Sequence, residues 1–394
     1  MIKRSFVFLL SCVLFRACLT FAAPFGDNVI ACGSLDNARI KFSRGGKATV
    51  AFLGGSITEM NGYRPMVCEI LQKRFPETEF TFVVAGISST CSTTGAFRLE
   101  RDVLNKGKVD MLFVEFAVND DQDAHHTPEN CIRGMEGVIR HVRMVNPEMD
   151  IVMTFFVNEY IMGELQAGRT PLTIRQHSKV AEQYKVSTIN LAAEVSMQIK
   201  NGELTWKKFG GVHPSPFGNA IASSMIDELF NRAWKNPLKA GAAMAAHPMP
   251  DALDKLSYFN GHFIDINDAD LKCGCMIKVP DWKSLKGGKR GRYTSCPTLC
   301  LEAPGAEFAL DFKGSAVGAF ITAGPDAGIC ECSVDGGDYR RIDLYKGYSK
   351  GLHYPYTVMF ADNLKSGEHK LTVRMVDGSS PDRKALRIMH FCVN

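Results

Sequence analysis

Four short stretches of the 394-residue chain carry residue types that could do acyl-transfer chemistry. The first is Gly54-Gly55-Ser56-Ile57-Thr58, a serine placed directly after the apolar run 48–53. The two glycines permit a tight backbone there, and the loop that follows can aim N–H groups at an anion. Gly86 closes a second apolar run, 80–85, and Asn119 follows a third, 111–116. His213 stands far downstream in Gly211-Val212-His213-Pro214-Ser215, just before a helical segment. A nucleophilic hydroxyl needs a base within hydrogen-bond reach, and the oxyanion it generates needs preorganised donors. Serine, histidine, a backbone N–H and a side-chain amide meet those needs, although each stretch alone is a common loop.

The elements that must bring them together are legible from periodicity. Apolar runs at 48–53, 80–85, 111–116, 151–156 and 186–189 alternate with amphipathic segments at 64–75, 97–104, 131–145, 174–184 and 216–234. Continuous apolar strands alternating with helices predict a parallel sheet covered on both faces. Ligands of such sheets bind beyond the carboxyl ends of the strands, where Ser56, Gly86 and Asn119 fall. After residue 260 the pattern changes to strand-like segments at 307–312, 316–323, 330–334 and 370–376. Asp335-Gly336-Gly337 and Ser366-Gly367-Glu368 are turn signals among them. The expected architecture is therefore α/β, a three-layer α/β/α parallel sheet, followed by an antiparallel, jelly-roll-like β-sandwich. The expected domains are a signal peptide at 1–23, an α/β domain at 28–236, a linker at 237–256 and a β-sandwich, a candidate carbohydrate-binding module, at 257–394.

Bulk composition narrows the function classes. The chain is 45% hydrophobic and 22% charged, as expected of a folded protein, with a formal net charge of +4. Three of its basic residues, Lys3, Arg4 and Arg16, lie in the expected signal, so the remainder is nearly neutral and has no basic stripe for a nucleic acid. Lys3 and Arg4 precede the mostly apolar run 6–21, and Ala22-Ala23 offers small residues for cleavage. Arg16 interrupts that run, which at about 16 residues is shorter than the ~20 that a spanning helix requires. Secretion or delivery to a periplasm is the reading, with no integral membrane span. Lipoprotein anchoring at Cys12 or Cys18 is the less favoured form. Eleven of the thirteen cysteines remain beyond the signal, and in an oxidising compartment some are expected to pair. Their spacing does not make a zinc site, and no metal or organic cofactor is expected.

Taken together, order and spacing resemble the SGNH (GDSL-like) hydrolase superfamily over roughly residues 45–235. Ser56, Gly86, Asn119 and His213 match its four blocks, although Ala117 stands where the family has glycine. The resemblance implies a flavodoxin-like hydrolase domain. It also implies Ser56 as nucleophile, His213 as base, and an oxyanion hole from Ser56, Gly86 and Asn119. Joined to export and an appended β-sandwich, it implies an esterase or acetylesterase acting on O-acetylated poly- or oligosaccharides. A lipid or lysophospholipid acylhydrolase, or a decayed carbohydrate-binding surface protein, is the alternative. The family's aspartate three residues before the histidine is Gly210 here. Three explanations stand open: a backbone carbonyl near Phe209 or Gly210 orients the imidazole, a carboxylate such as Glu59 or Asp120 swings in, or the enzyme is crippled. Tyr63 and Arg64, close after the serine, are candidates for lining the substrate site. His125-His126 reads as a solvated pair, His177 as packing, and Arg98 to Asp102 as surface or interdomain ion pairs. Tyr348, His353, Tyr354 and Tyr356 form an aromatic cluster in the second half, able to stack on a sugar or fill a core.

Overall fold

The computed structural model describes residues 25–394 except 34 and 379, so the expected signal at 1–23, with Cys12 and Cys18, lies outside the described residues. Six strands form the first sheet: β1 (Val29–Ile30), β2 (Gly46–Gly54), β3 (Thr78–Gly86), β4 (Met111–Glu115), β5 (Asp150–Thr154) and β6 (Ser187–Ile189). Their order is β1-β6-β5-β4-β2-β3, parallel throughout except for β1 on β6. From β2 onward this is the flavodoxin-like doubly wound order, with the chain reversing direction across the sheet beside β2.

The burial explains why these residues are strands. Val50 to Leu53 and all of β4 are buried on both faces, and Phe52 stacks on Phe113 with ring centroids 5.0 Å apart. Helices Tyr63–Arg74 and Pro216–Ala233 pack together, while Ser92–Asp102, Pro128–Val145 and Leu172–Tyr184 form a second group. Helices Asp36–Ser43, Glu159–Gln166 and Leu191–Lys200 have no counterpart among the expected elements.

The second half is built from two antiparallel sheets. One carries Leu352–Ala361, Val317–Ala323, Leu386–Val393, Thr298–Leu301 and Cys275–Lys278 in that order. The other carries Arg340–Asp343, Ile329–Val334, Gly367–Val376 and Glu307–Gly314. Inward side chains from both sheets meet in one core, as Phe308 and Phe391 do at 5.3 Å. The two halves are not separate bodies. Tyr293, Phe320, Met389 and Cys392 of the β-rich half belong to the hydrophobic core of the α/β half. Arg101 Nη1 lies 3.0 Å from His390 Nε2, and Thr94 Oγ1 donates to Thr357 Oγ1 at 2.9 Å. The segment between the halves lies along the α/β surface, with His247 Nε2 2.9 Å from Asp150 Oδ1 and Asp254 paired to Arg133 at 2.6 Å. All eleven described cysteines are free thiols, against the expectation of pairing. Among the described residues, no helix is long and apolar enough to cross a membrane.

Candidate active site

Ser56 opens the short helix Ser56–Glu59 at the carboxyl end of β2. The turn before it is held by a buried carboxylate. Glu115, at the end of neighbouring β4, accepts from Gly55 N at 2.9 Å and from Thr58 Oγ1 at 2.7 Å. Burial pushes the Glu115 carboxyl up to about 7, against the lowering effect of those same hydrogen bonds. Gly55 is required by close approach, because a Cβ there would lie 2.1 Å from Asn119 Oδ1. Asn119, on the helix Ala117–Gln122 after β4, therefore sits directly against the nucleophile turn. Its Nδ2 gives one N–H to Asp123 Oδ2, and an amide nitrogen carries a second N–H. Gly86 ends β3 in register with Gly54, so Ser56, Gly86 and Asn119 stand at the ends of three adjacent strands.

The imidazole arrives from the loop between helices Trp206–Phe209 and Pro216–Ala233, with His213 Nε2 2.8 Å from Ser56 Oγ. Backbone contacts fix that loop: Ser215 N donates to Phe209 O at 2.8 Å, and Ser215 caps the following helix through Gly218 N. Asn219 Nδ2 also reaches Pro214 O at 2.7 Å. Gly210 adopts φ +108°, a left-handed conformation that a Cβ would strain. The ring itself is exposed. Among the described residues, no carbonyl or carboxylate hydrogen-bonds its Nδ1, and no carboxylate pairs with it.

The carboxylates considered for orienting His213 are committed elsewhere. Glu59 Oε2 accepts from Ser88 N at 2.7 Å, and its Oε1 lies 3.0 Å from Arg292 Nη2. Asp120 is fully buried and accepts from Ser92 N at 2.7 Å and Ser92 Oγ at 2.6 Å, with His177 Nε2 at 2.9 Å. Burial alone would raise the Asp120 carboxyl, yet the nearby charge of His126 and the hydrogen bond from His177 hold it well below the usual carboxylate range. His126 is thus no solvated surface histidine. It lies 3.4 Å from Asp120, which outweighs desolvation and lifts its pKa well above the ordinary imidazole value. Two groups, Cys91 with Asp120 and His126, and Asp120 with Cys131 and His177, bring three possible cation ligands within 4.8 Å of one another.

Tyr63 and Arg64 lie beneath the serine and not on a substrate-facing surface. They are 1% and 6% exposed, and their polar atoms are spent on the nucleophile helix. Tyr63 Oη is 3.1 Å from Thr58 Oγ1, while Arg64 donates to the carbonyls of Thr58, Glu59 and Met60. Arg98, expected in an ion pair at a surface or interface, is fully buried. It donates to Ala85 O at 2.6 Å and Gly54 O at 2.8 Å while paired with Asp102 at 3.0 Å. The guanidinium so clamps the ends of β2 and β3 just before Ser56 and Gly86. Sequence reasoning missed Glu115 and Arg98 in these roles. A carboxylate inside the otherwise apolar run 111–116 was the available signal, because such a group is almost never fully buried unless paired.

Beside Asp123, a cavity of about 630 Å³ opens between the halves, lined by Gln122, His125, Arg340, Tyr348, Tyr354 and Tyr356 among others. Tyr354 is buried between the other two tyrosines, with Tyr348 edge-on at 5.7 Å and Tyr356 stacked at 5.6 Å. His353 belongs elsewhere, packed edge-on to Trp282.

Residues 52–221 match the GDSL-like lipase/acylhydrolase family. The fold is similar over nearly its whole length to the crystal structure of a two-domain esterase (CEX) active on acetylated mannans. The TM-score is 0.74 at 21% identity, covering 93% of this chain and 97% of that one. The same esterase co-crystallised with mannopentaose gives a TM-score of 0.73 at 21% identity, covering 93% and 96%. No curated protein matches in sequence.

Proposed function

We propose that this chain, a carboxylic ester hydrolase with a GDSL-like lipase/acylhydrolase domain at residues 52–221, works as a serine esterase through Ser56 and His213. The observation that carries the reading is the 2.8 Å approach of His213 Nε2 to Ser56 Oγ at the carboxyl ends of the strands. His213 takes the serine proton as Oγ attacks the ester carbonyl, and the resulting imidazolium then protonates the departing alcohol. The tetrahedral oxyanion is received by the N–H groups of Ser56 and Gly86 and the free N–H of Asn119. Water activated by His213 hydrolyses the acyl-enzyme. With Gly210 in place of an acid, solvent around the exposed ring stabilises the imidazolium.

The substrate in this reading is an O-acetylated poly- or oligosaccharide. Support comes from the full-length likeness to an esterase active on acetylated mannans and from the tyrosine-lined cavity beside Asp123. Tyrosine offers a sugar an apolar face together with a polar tip. The charge pattern and apolar run of residues 1–23 support a location outside the cytoplasm for this reading. The test compares p-nitrophenyl acetate turnover by the wild type and Ser56→Ala, then acetate release from acetylated mannan and xylan against long-chain esters. Equal, negligible turnover by both proteins would end the esterase reading. A preference for long acyl chains would replace the polysaccharide with a lipid.

A further inference from the structure

We infer that Arg292, contributed by the β-rich half, is a positioning residue for the active site. Its guanidinium bridges the two segments that carry the nucleophile and the oxyanion glycine. Nη2 lies 3.0 Å from Glu59 Oε1, at the end of the Ser56–Glu59 helix. Nη1 donates to Gly86 O at 3.4 Å. Glu59 completes the link, because its other oxygen accepts the backbone N–H of Ser88 at 2.7 Å and the Ser88 hydroxyl. The two segments are already in close apposition, since a Cβ on Gly86 would lie 2.3 Å from Glu59 N. Small shifts between them therefore change how the Ser56 and Gly86 N–H groups point at a common oxyanion.

The arginine is held from its own side. It belongs to the turn Gly291–Tyr293, whose Tyr293 is buried in the core shared with the α/β half and meets Phe320 edge-on at 6.0 Å. Arg98 clamps the carbonyls of Gly54 and Ala85 from within the α/β half, and Arg292 clamps that of Gly86 from outside it. The carbonyls at the ends of the two strands are thus fixed by guanidinium groups from different halves. The guanidinium fork fits this duty, because it can meet a carboxylate and a carbonyl together. The β-rich half accordingly sets the geometry of the reaction centre, besides any part it plays in holding a polymer.

This inference rests on the Ser56–His213 reading, and the experiment separates the two. Turnover of p-nitrophenyl acetate is measured for Arg292→Ala, Arg292→Lys, Glu59→Gln and the double variant Arg292→Ala/Glu59→Gln, with Ser56→Ala alongside. Arg292→Ala is expected to lower kcat about tenfold at unchanged KM, because an interaction made only in the transition state is weakened. Arg292→Lys should recover part of that loss. The double variant should be no worse than the poorer single one, as expected of residues acting in one network. Raising ionic strength should lower kcat of the wild type and leave Arg292→Ala unmoved, since the half-exposed pair is open to screening. Should Arg292→Ala fold poorly, Glu59→Gln carries the same prediction. Wild-type kcat in Arg292→Ala or Glu59→Gln beside an inactive Ser56→Ala overturns the inference alone. Full activity of Ser56→Ala overturns the esterase reading and this inference with it.

Discussion

The serine side and the histidine side of the candidate site are built in opposite ways. Around Ser56 the chain is held by buried groups: Glu115 grips Gly55 and Thr58, Arg64 takes the carbonyls of Thr58, Glu59 and Met60, and Arg98 fixes the two strand ends. Around His213 the backbone is fixed by Ser215 and Asn219, but the exposed ring has Ser56 as its one hydrogen-bond partner among the described residues. Donors that must meet a developing charge profit from rigidity, since they then need no reorganisation at the moment of reaction. In the proposed mechanism a base at the rim needs only correct reach, and solvent takes the place of an acid. The difference teaches that the fold places buried polar groups around the Ser56 turn and leaves the His213 ring to solvent.

The largest expected effect treats the two sides as one unit. Ser56→Ala and His213→Ala should each lower kcat by ~10⁴ or more, and the double variant should lose little beyond either single one. Additive losses would show that serine and imidazole do not act on a shared proton. Asn119→Ala should cost roughly 10²–10³ in kcat with little change in KM, the usual effect of deleting one oxyanion donor. A loss confined to KM would move Asn119 from the oxyanion to substrate binding.

Protonation of Glu115 gives the next effect, on stability. The folded chain keeps this proton until about pH 7, whereas the ordinary value is 4.5. The folded state therefore binds more protons in that window. The contribution of Glu115 is full below pH 4.5 and is lost as pH rises through about 7, a change of roughly 3 kcal/mol at most. Thermal melts across that range should show the slope in the wild type and its flattening in Glu115→Gln, which retains an oxygen for Gly55 and Thr58. An unchanged slope would remove Glu115 as its source.

The smallest effect probes the histidine side. Gly210→Asp restores the family's acid in sequence, but its Cβ would lie 2.0 Å from Ser215 N at a backbone φ of +108°. It should cost about 1–3 kcal/mol of stability and leave kcat no higher, measured by melting and by turnover. A rise in kcat would show that the loop can rearrange to seat a carboxylate behind the imidazole.

The architecture was largely legible because strand and helix periodicities are local. Residues 48–53 and 111–116 read as buried strands since both faces of a parallel sheet are covered, and that order places Ser56, Gly86 and Asn119 at strand ends. Helices Glu159–Gln166 and Leu191–Lys200 were not anticipated: the first is eight residues long and buries only Ile161, and the second buries polar Glu194 and Ser196 beside Leu191, Ala192 and Val195, which blurs its apolar period. The same limit hid the fate of single polar residues. His126 sits in a polar stretch yet is buried against Asp120, because the partner that accommodates it is supplied by the fold.

By itself, the sequence determined the alternation of elements, the change of architecture after residue 260 and the residue types that reach the sheet's active edge. All of these follow from side-chain period and backbone preference over a few neighbouring positions. Only the tertiary structure decided what each polar group spends its hydrogen bonds on. It set Tyr63 and Arg64 beneath the serine, committed Glu59 and Asp120 away from His213, and brought Arg292 across from the β-rich half. Such pairings join residues as far apart as Glu59 and Arg292, and their geometry depends on how whole elements pack.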